Sequence, residues 1–174
     1  MKKNLFLAIV ALFSAGVLCA DELKINGEFK AINPKTKLPV SWVRNGVKTG
    51  ISEVIRKGDD NILKLKNDKG YFAMYNSVRI PAKAGDTYKF ELKAKGKGTL
   101  AVGYYAYGTK GHCGTGSQSV KVDSSLLFKE YKGTFTVAAP AAGKDLTYIH
   151  VQFGSYGAMD VEIEEIEVEP VVKQ

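Results

Sequence analysis

Two short segments hold the side chains with the most chemical promise. In Leu100-Ala101-Val102-Gly103-Tyr104-Tyr105-Ala106-Tyr107, the residues Leu100, Val102 and Tyr104 share one parity, while Ala101, Gly103, Tyr105 and Tyr107 share the other. In Thr147-Tyr148-Ile149-His150-Val151-Gln152-Phe153, the apolar Ile149, Val151 and Phe153 alternate with Tyr148, His150 and Gln152. Alternation with period two marks a strand with one buried face. Tyr105, Tyr107, Tyr148, His150 and Gln152 are therefore expected to project from the face opposite the core, with Ala101 and Gly103 leaving room between them. Flat rings stack on the C–H face of a sugar ring, and imidazole and amide groups exchange hydrogen bonds with its hydroxyls. A merely solvated strand face carries Lys, Glu and Thr instead. The same set also suits a convex outer surface or a partner interface, and the opposite parity would exchange the two faces.

The same residues bear on catalysis. Some jelly-roll polysaccharide lyases use Tyr, His, Gln and Arg to abstract a proton beside a uronate, and Tyr148, His150 and Gln152 are of those types. Only Arg44, Arg56 and Arg79 supply arginine, without a cluster to neutralise a substrate carboxylate. A glycosidase needs two facing carboxylates, whereas the acids from Glu162 to Glu169 read as a strand. No Gly-x-Ser-x-Gly, His-Glu-x-x-His or phosphate-binding glycine loop occurs. The leading expectation is a binder rather than an enzyme. A jelly-roll lyase or glycoside hydrolase, and a structural or adhesive envelope protein, are the alternatives.

The elements that would hold these residues are strands. Tyr88, Phe90, Leu92 and Ala94 alternate with Lys89, Glu91, Lys93 and Lys95. Leu63 and Leu65, Val78 and Ile80, Phe135 and Val137, and Val161 and Ile163 repeat the pattern. Turn signals separate them at Asn45-Gly46, Gly58-Asp59-Asp60-Asn61, Asn67-Asp68-Lys69-Gly70 and Ala84-Gly85-Asp86. Gly96-Lys97-Gly98 reads as a hairpin between two strands. Near the end, Val161 and Ile163 share a parity that Ile166 and Val168 lack, so Glu164-Glu165 should carry a bulge. About ten short strands without a helical stripe predict an all-β domain, a two-sheet antiparallel β-sandwich or jelly roll.

Length and composition set the surroundings. The chain has 174 residues, 45% hydrophobic, with a formal charge of +7. Met1-Lys2-Lys3, an uncharged run from Leu5 to Leu18, and Ala20 before Asp21-Glu22 make a secretory leader, residues 1–20. The domain then spans 21–174, secreted or periplasmic. Processing at Cys19 as a lipid-anchored protein is the alternative to cleavage after Ala20. A basic exported chain suits anionic glycans or envelope surfaces, and export argues against nucleic acid. The scattered lysines also fit solvated sheet surfaces. Only Cys19 and Cys113 are present, so after cleavage Cys113 has no partner. It lies in Gly111-His112-Cys113-Gly114-Thr115-Gly116, which reads as a loop. Trp42, flanked by Val40 and Val43, reads as core.

Several segments resemble a known family. Asn26-Gly27-Glu28-Phe29 resembles the opening of carbohydrate-binding modules of the family 4, 9 and 22 type, and Leu38-Pro39-Val40-Ser41-Trp42 is similar to the motif that follows it. Ala84-Gly85-Asp86-Thr87-Tyr88-Lys89-Phe90 looks like their entry to a central strand. Glu130-Tyr131-Lys132 with Thr134-Phe135-Thr136-Val137, and Ile163-Glu164-Glu165-Ile166-Glu167-Val168, resemble their later and closing segments. Tyr131 replaces a Trp, and glutamates replace aspartates. The resemblance implies a galactose-binding-like jelly roll, non-catalytic capture of a poly- or oligosaccharide on the concave sheet, and partnership with a glycoside hydrolase acting in trans. It also implies a structural calcium that ties the first strand to the last, with Glu28 and Glu164 at the matching positions.

Overall fold

The structure is a computed structural model that describes residues 23–45 and 50–172. The expected leader, with Cys19, lies outside the described residues. No helix among the described residues is long and apolar enough to cross a membrane.

Ten strands follow one another: β1 (Trp42–Arg44), β2 (Ile51–Lys57), β3 (Asp60–Asn67), β4 (Phe72–Asn76), β5 (Ile80–Pro81), β6 (Thr87–Gly108), β7 (Gly111–Val122), β8 (Lys129–Thr136), β9 (Tyr148–Ser155) and β10 (Met159–Pro170). All pairings are antiparallel. They form two layers. The first runs β2-β3-β10-β6-β8, and the second runs β1-β4-β9-β6-β7 with β5 beside β9. The all-β sandwich expected from the alternation is what the chain forms.

β6 belongs to both layers. Its first part pairs with β8 and β10, and its second with β7 and β9. The passage lies at Gly96-Lys97-Gly98, where a hairpin was expected. The strand bends there without reversing, because β10 runs alongside it with Val161 opposite Gly96 and Met159 opposite Gly98. Gly96 and Gly98 have φ of 125° and 137°, a region that side chains rarely enter. A Cβ at Gly96 would stand 2.1 Å from the Asp160 carbonyl oxygen. Glycine is required here so that two backbones can cross closely, not so that the chain can turn back.

The inward faces meet in one core. Leu63, Leu65, Phe90, Leu92, Ile163 and Ile166 from the first layer pack toward Met74, Val102, Tyr104, Ile149, Val151 and Phe153 from the second, and all are buried. Each such side chain contributes about 1.5–3 kcal/mol by leaving water. The expected bulge is present: the β10–β6 register shifts between Ile163 and Glu165, and Val161, Ile163, Ile166 and Val168 all face inward. Trp42 is core, as read. Its ring stacks on Phe153 at 4.8 Å and its Nε1 donates to the Ile25 carbonyl at 3.1 Å.

The glycine-rich stretch around Cys113 is not a loop. It is the start of β7, and the turn before it is Thr109-Lys110, followed by Gly111 with φ of 87°. Cys113 points into the core, where burial pushes its thiol pKa up and disfavours a reactive thiolate.

Candidate functional site

Residues directly opposite on paired strands share a face. β6 and β9 set Tyr107 opposite Tyr148, Tyr105 opposite His150, Gly103 opposite Gln152, and Ala101 opposite Gly154. The five residues singled out by alternation therefore stand together on the outer face of the second layer. β4 adds Tyr75 beside Gln152. β7 adds His112 beside Tyr107, Thr115 beside Tyr105, Ser117 beside Gly103 and Ser119 beside Ala101. Both histidines of the chain and four of its nine tyrosines occupy this face, and Tyr71 and Tyr156 flank its end.

The rings lean on one another. Tyr107 and Tyr148 stack at 5.5 Å with 9° between their planes. The guanidinium of Arg79 lies 4.9 Å from the Tyr148 ring centre. His150 meets Tyr75, Tyr107 and Tyr148 at 5.4, 5.3 and 5.2 Å. Tyr105 has Tyr75 and His112 at its sides, edge to face. Such pairs contribute about 0.5–1.5 kcal/mol each beyond their burial.

Polar atoms on this face have definite roles. The Tyr105 hydroxyl accepts from Asn45 Nδ2 at 2.8 Å and shares a short hydrogen bond with the Tyr71 hydroxyl. Burial, then that neighbour, pushes the Tyr71 pKa well above the ordinary phenol value. Burial likewise raises Tyr107. His150 Nδ1 lies 2.9 Å from the Val78 carbonyl oxygen. Since a carbonyl only accepts, Nδ1 carries the proton in the neutral ring and Nε2 keeps the lone pair. Gln152 Nε2 donates to the Tyr104 carbonyl at 3.3 Å and to Thr115 Oγ1 at 3.0 Å. Its Oε1 is buried without a partner, in a residue only 6% exposed. A buried acceptor left in this way costs about 1–3 kcal/mol, and Ser52 Oγ and Asn67 Oδ1 stand in the same state elsewhere in the sandwich.

Open space lies beside the packed rings. A recess of about 400 Å³ is lined by Thr99, Ala101, Ser119, Ser155, Tyr156 and Gly157, among others. Tyr156 is 76% exposed and tilts against Tyr71 at 5.2 Å. Tyr105, at 7% exposure, is thus a floor that organises the face, while Tyr156 offers a free ring. Tyr71, Tyr75 and Tyr156 join this face through neighbours that alternation within their own segments does not give. The β7 residues gave no strand signal, because β7 lacks apolar alternation over its first half, and Asn45 was read only as part of a turn. A larger recess of about 490 Å³ at the end of the sandwich, beside Leu23, Ile80, Tyr88 and Pro170, includes none of the five.

Glu28 and Glu164 do share a cleft, about 230 Å³, with Asp59, Asp60 and Glu165. Each, however, is held by an ammonium group: Glu28 by Lys30 and Glu164 by Lys93. Calcium takes six to eight oxygen ligands. No group of three or more His, Cys, Asp or Glu converges on a metal position among the described residues. Two lysines already supply positive charge here, so the donor set does not fit a calcium cage.

No protein-family model matches the sequence, and no curated protein matches it. Solved structures match the fold. The family 11 carbohydrate-binding module of the cellulosomal cellulase Lic26A-Cel5E of Clostridium thermocellum superposes with a TM-score of 0.57 at 10% identity, covering 90% of this chain and 98% of that one. The CBM22-2 xylan-binding domain of Paenibacillus barcinonensis Xyn10C gives 0.52 at 11% identity, over 83% and 98%. A cyclase from Fischerella sp. TAU gives 0.60 at 12%, over 90% and 100%. This chain has the jelly-roll fold of carbohydrate-binding modules, a fold that an enzyme also uses. It spans 21% of a bacteriophage CBA120 tailspike chain and 26% of an α-L-arabinofuranosidase chain that it also matches.

Proposed function

We propose that this protein is an exported, non-catalytic carbohydrate-binding protein that captures a poly- or oligosaccharide on the outer face of its second layer. The sugar chain lies in the recess beside Tyr156 and runs against the Tyr75, Tyr107, Tyr148, His150 and Gln152 patch. The observation that carries this reading is the gathering of Tyr75, Tyr107, Tyr148 and His150 on one outer face, beside the exposed Tyr156 ring and a strip of small residues. Flat rings with polar tips suit the C–H faces and hydroxyls of sugars. The strands of this layer contain no Asp or Glu beyond Glu91, which β6 carries in its first-layer part. A facing carboxylate pair for glycoside hydrolysis is thus not available on them. A glycoside hydrolase acting in trans is the natural partner for a binder of this kind.

A glycan array with wild type, Tyr156→Ala and the Tyr105→Ala/Tyr148→Ala pair tests the reading. Tyr156→Ala keeps the fold, because its ring is exposed, and weakens binding. Full binding by both variants, each folded by circular dichroism, would remove this face from consideration. The placement of Arg79 over Tyr148, next to His150, favours one second reading, β-elimination at a uronate. Unsaturated product accumulating from a uronate polymer, followed by absorbance, distinguishes it from simple capture.

A further inference from the structure

We infer that the ligand of this face is an anionic polysaccharide, with a carboxylate or sulfate held by Arg79; this rests on the glycan-binding reading above. Charge on and around the face is one-sided. The strand segments that build it carry no acid, and of their two basic residues Lys121 faces outward while Arg44 shares the inward parity of Met74. Lys121 pairs with Thr99 and therefore follows Ser119 on the same face, at the recess end. At the opposite end stand Arg79 over Tyr148, and Lys144, whose Nζ donates to the His112 carbonyl at 2.5 Å. The carboxylate close to that end is Asp145. It is consumed by the Thr109 N–H and hydroxyl, both at 2.9 Å, which also hold its pKa below the usual range.

Arg79 is exposed, and among the described residues it makes no hydrogen bond or ion pair. Its guanidinium lies over the tyrosine ring. Stacking leaves the guanidinium edge free, and that edge matches a planar carboxylate or a sulfate with two parallel hydrogen bonds. The Tyr148 ring fixes the guanidinium in advance, which lowers the ordering cost of binding. From Tyr148 to Gly154 along β9 is six residues, or about 20 Å at strand rise. A short oligosaccharide reaches from the Tyr156 recess to Arg79. Sugar rings would then occupy the small-residue strip, and one acidic substituent would meet the guanidinium.

Affinity electrophoresis of the whole domain through polygalacturonate, dextran sulfate and neutral hydroxyethyl cellulose tests this, with Arg79→Gln and, as a control on the other layer, Lys132→Gln. The expected result is retardation by an anionic polymer that Arg79→Gln weakens about tenfold, with Lys132→Gln unchanged. The polymer whose retardation depends on Arg79 tells carboxylate from sulfate ester. Retardation by the neutral polymer alone, or one indifferent to Arg79, overturns the inference and leaves the glycan-binding reading standing. Equal losses in both variants overturn it too, because they indicate diffuse attraction to a basic protein. Retardation by none of the three overturns the inference for these polymers, and silence on the glycan array as well removes the reading beneath it.

Discussion

The two outer faces of the sandwich follow the same alternation and use it oppositely. On the first layer, outward positions form a ladder of opposite charges: Lys89 with Glu169 at 2.7 Å, Lys132 with Glu91 at 2.9 Å, Lys93 with Glu164, and Glu162 with Lys57 at 2.7 Å and Lys95 at 3.3 Å. These pairs are partly wet, and each contributes about 0–1 kcal/mol. On the second layer, the outward positions hold tyrosines, histidines, a glutamine and small residues that bury one another. One face keeps its charges in water. The other removes polar groups from water and leaves an acceptor unmatched. The two faces thus differ in what covers them: solvated ion pairs on one, mutually buried rings on the other.

Three measurements can break or sharpen this contrast. The largest effect is expected from Tyr105→Ala, which removes a nearly buried ring with Tyr75 and His112 at its sides and breaks the Asn45 and Tyr71 hydrogen bonds. It should lower stability by about 3 kcal/mol in denaturant titration. A loss as small as that of a ladder residue would erase the distinction. Next is Glu162→Gln on the ladder, with a loss of about 1 kcal/mol or less near neutral pH. Lys57, above all, holds the Glu162 pKa below its ordinary 4.5. A lowered carboxylate pKa stabilises the fold above 4.5, and that contribution disappears as pH falls through the folded value. Wild type and Glu162→Gln should therefore converge in acid; a gap that persists there would show that the charge is not the cause. The smallest effect concerns the cleft of Glu28 and Glu164. With Lys30 and Lys93 in place, adding a chelator should move the melting temperature by less than about 1 °C, whereas a bound metal would stabilise by mass action. A larger drop would show that calcium displaces those lysines.

How much could be read beforehand depended on how local the signal was. Alternation is local, so the inward residues, the parity of Tyr105 and His150, and the bulge at Glu164-Glu165 were all legible. The bend at Gly96-Lys97-Gly98 was not. Glycine permits both a reversal and a close crossing, and only the course of β10, some sixty residues later, decides between them. β7 was hidden for the same reason: Gly111 to Gly116 has no apolar rhythm, and its strand character comes from pairing with β6. The nearness of Glu28 to Glu164 was implied by resemblance, but the lysines that hold them were invisible until the chain was folded. Nor could the sequence show that Tyr105 is covered while Tyr156 is bare, since parity gives direction and not depth.

The strand shared by both layers has a further effect. With Thr87–Gly108 paired on both sides in each sheet, the tyrosine-bearing side has no private way to loosen: separating it means dismantling the charged side as well. Amide protons in the middle of β9 should thus exchange only when the entire molecule opens. The tyrosine-bearing wall takes its stiffness from the far side of the protein.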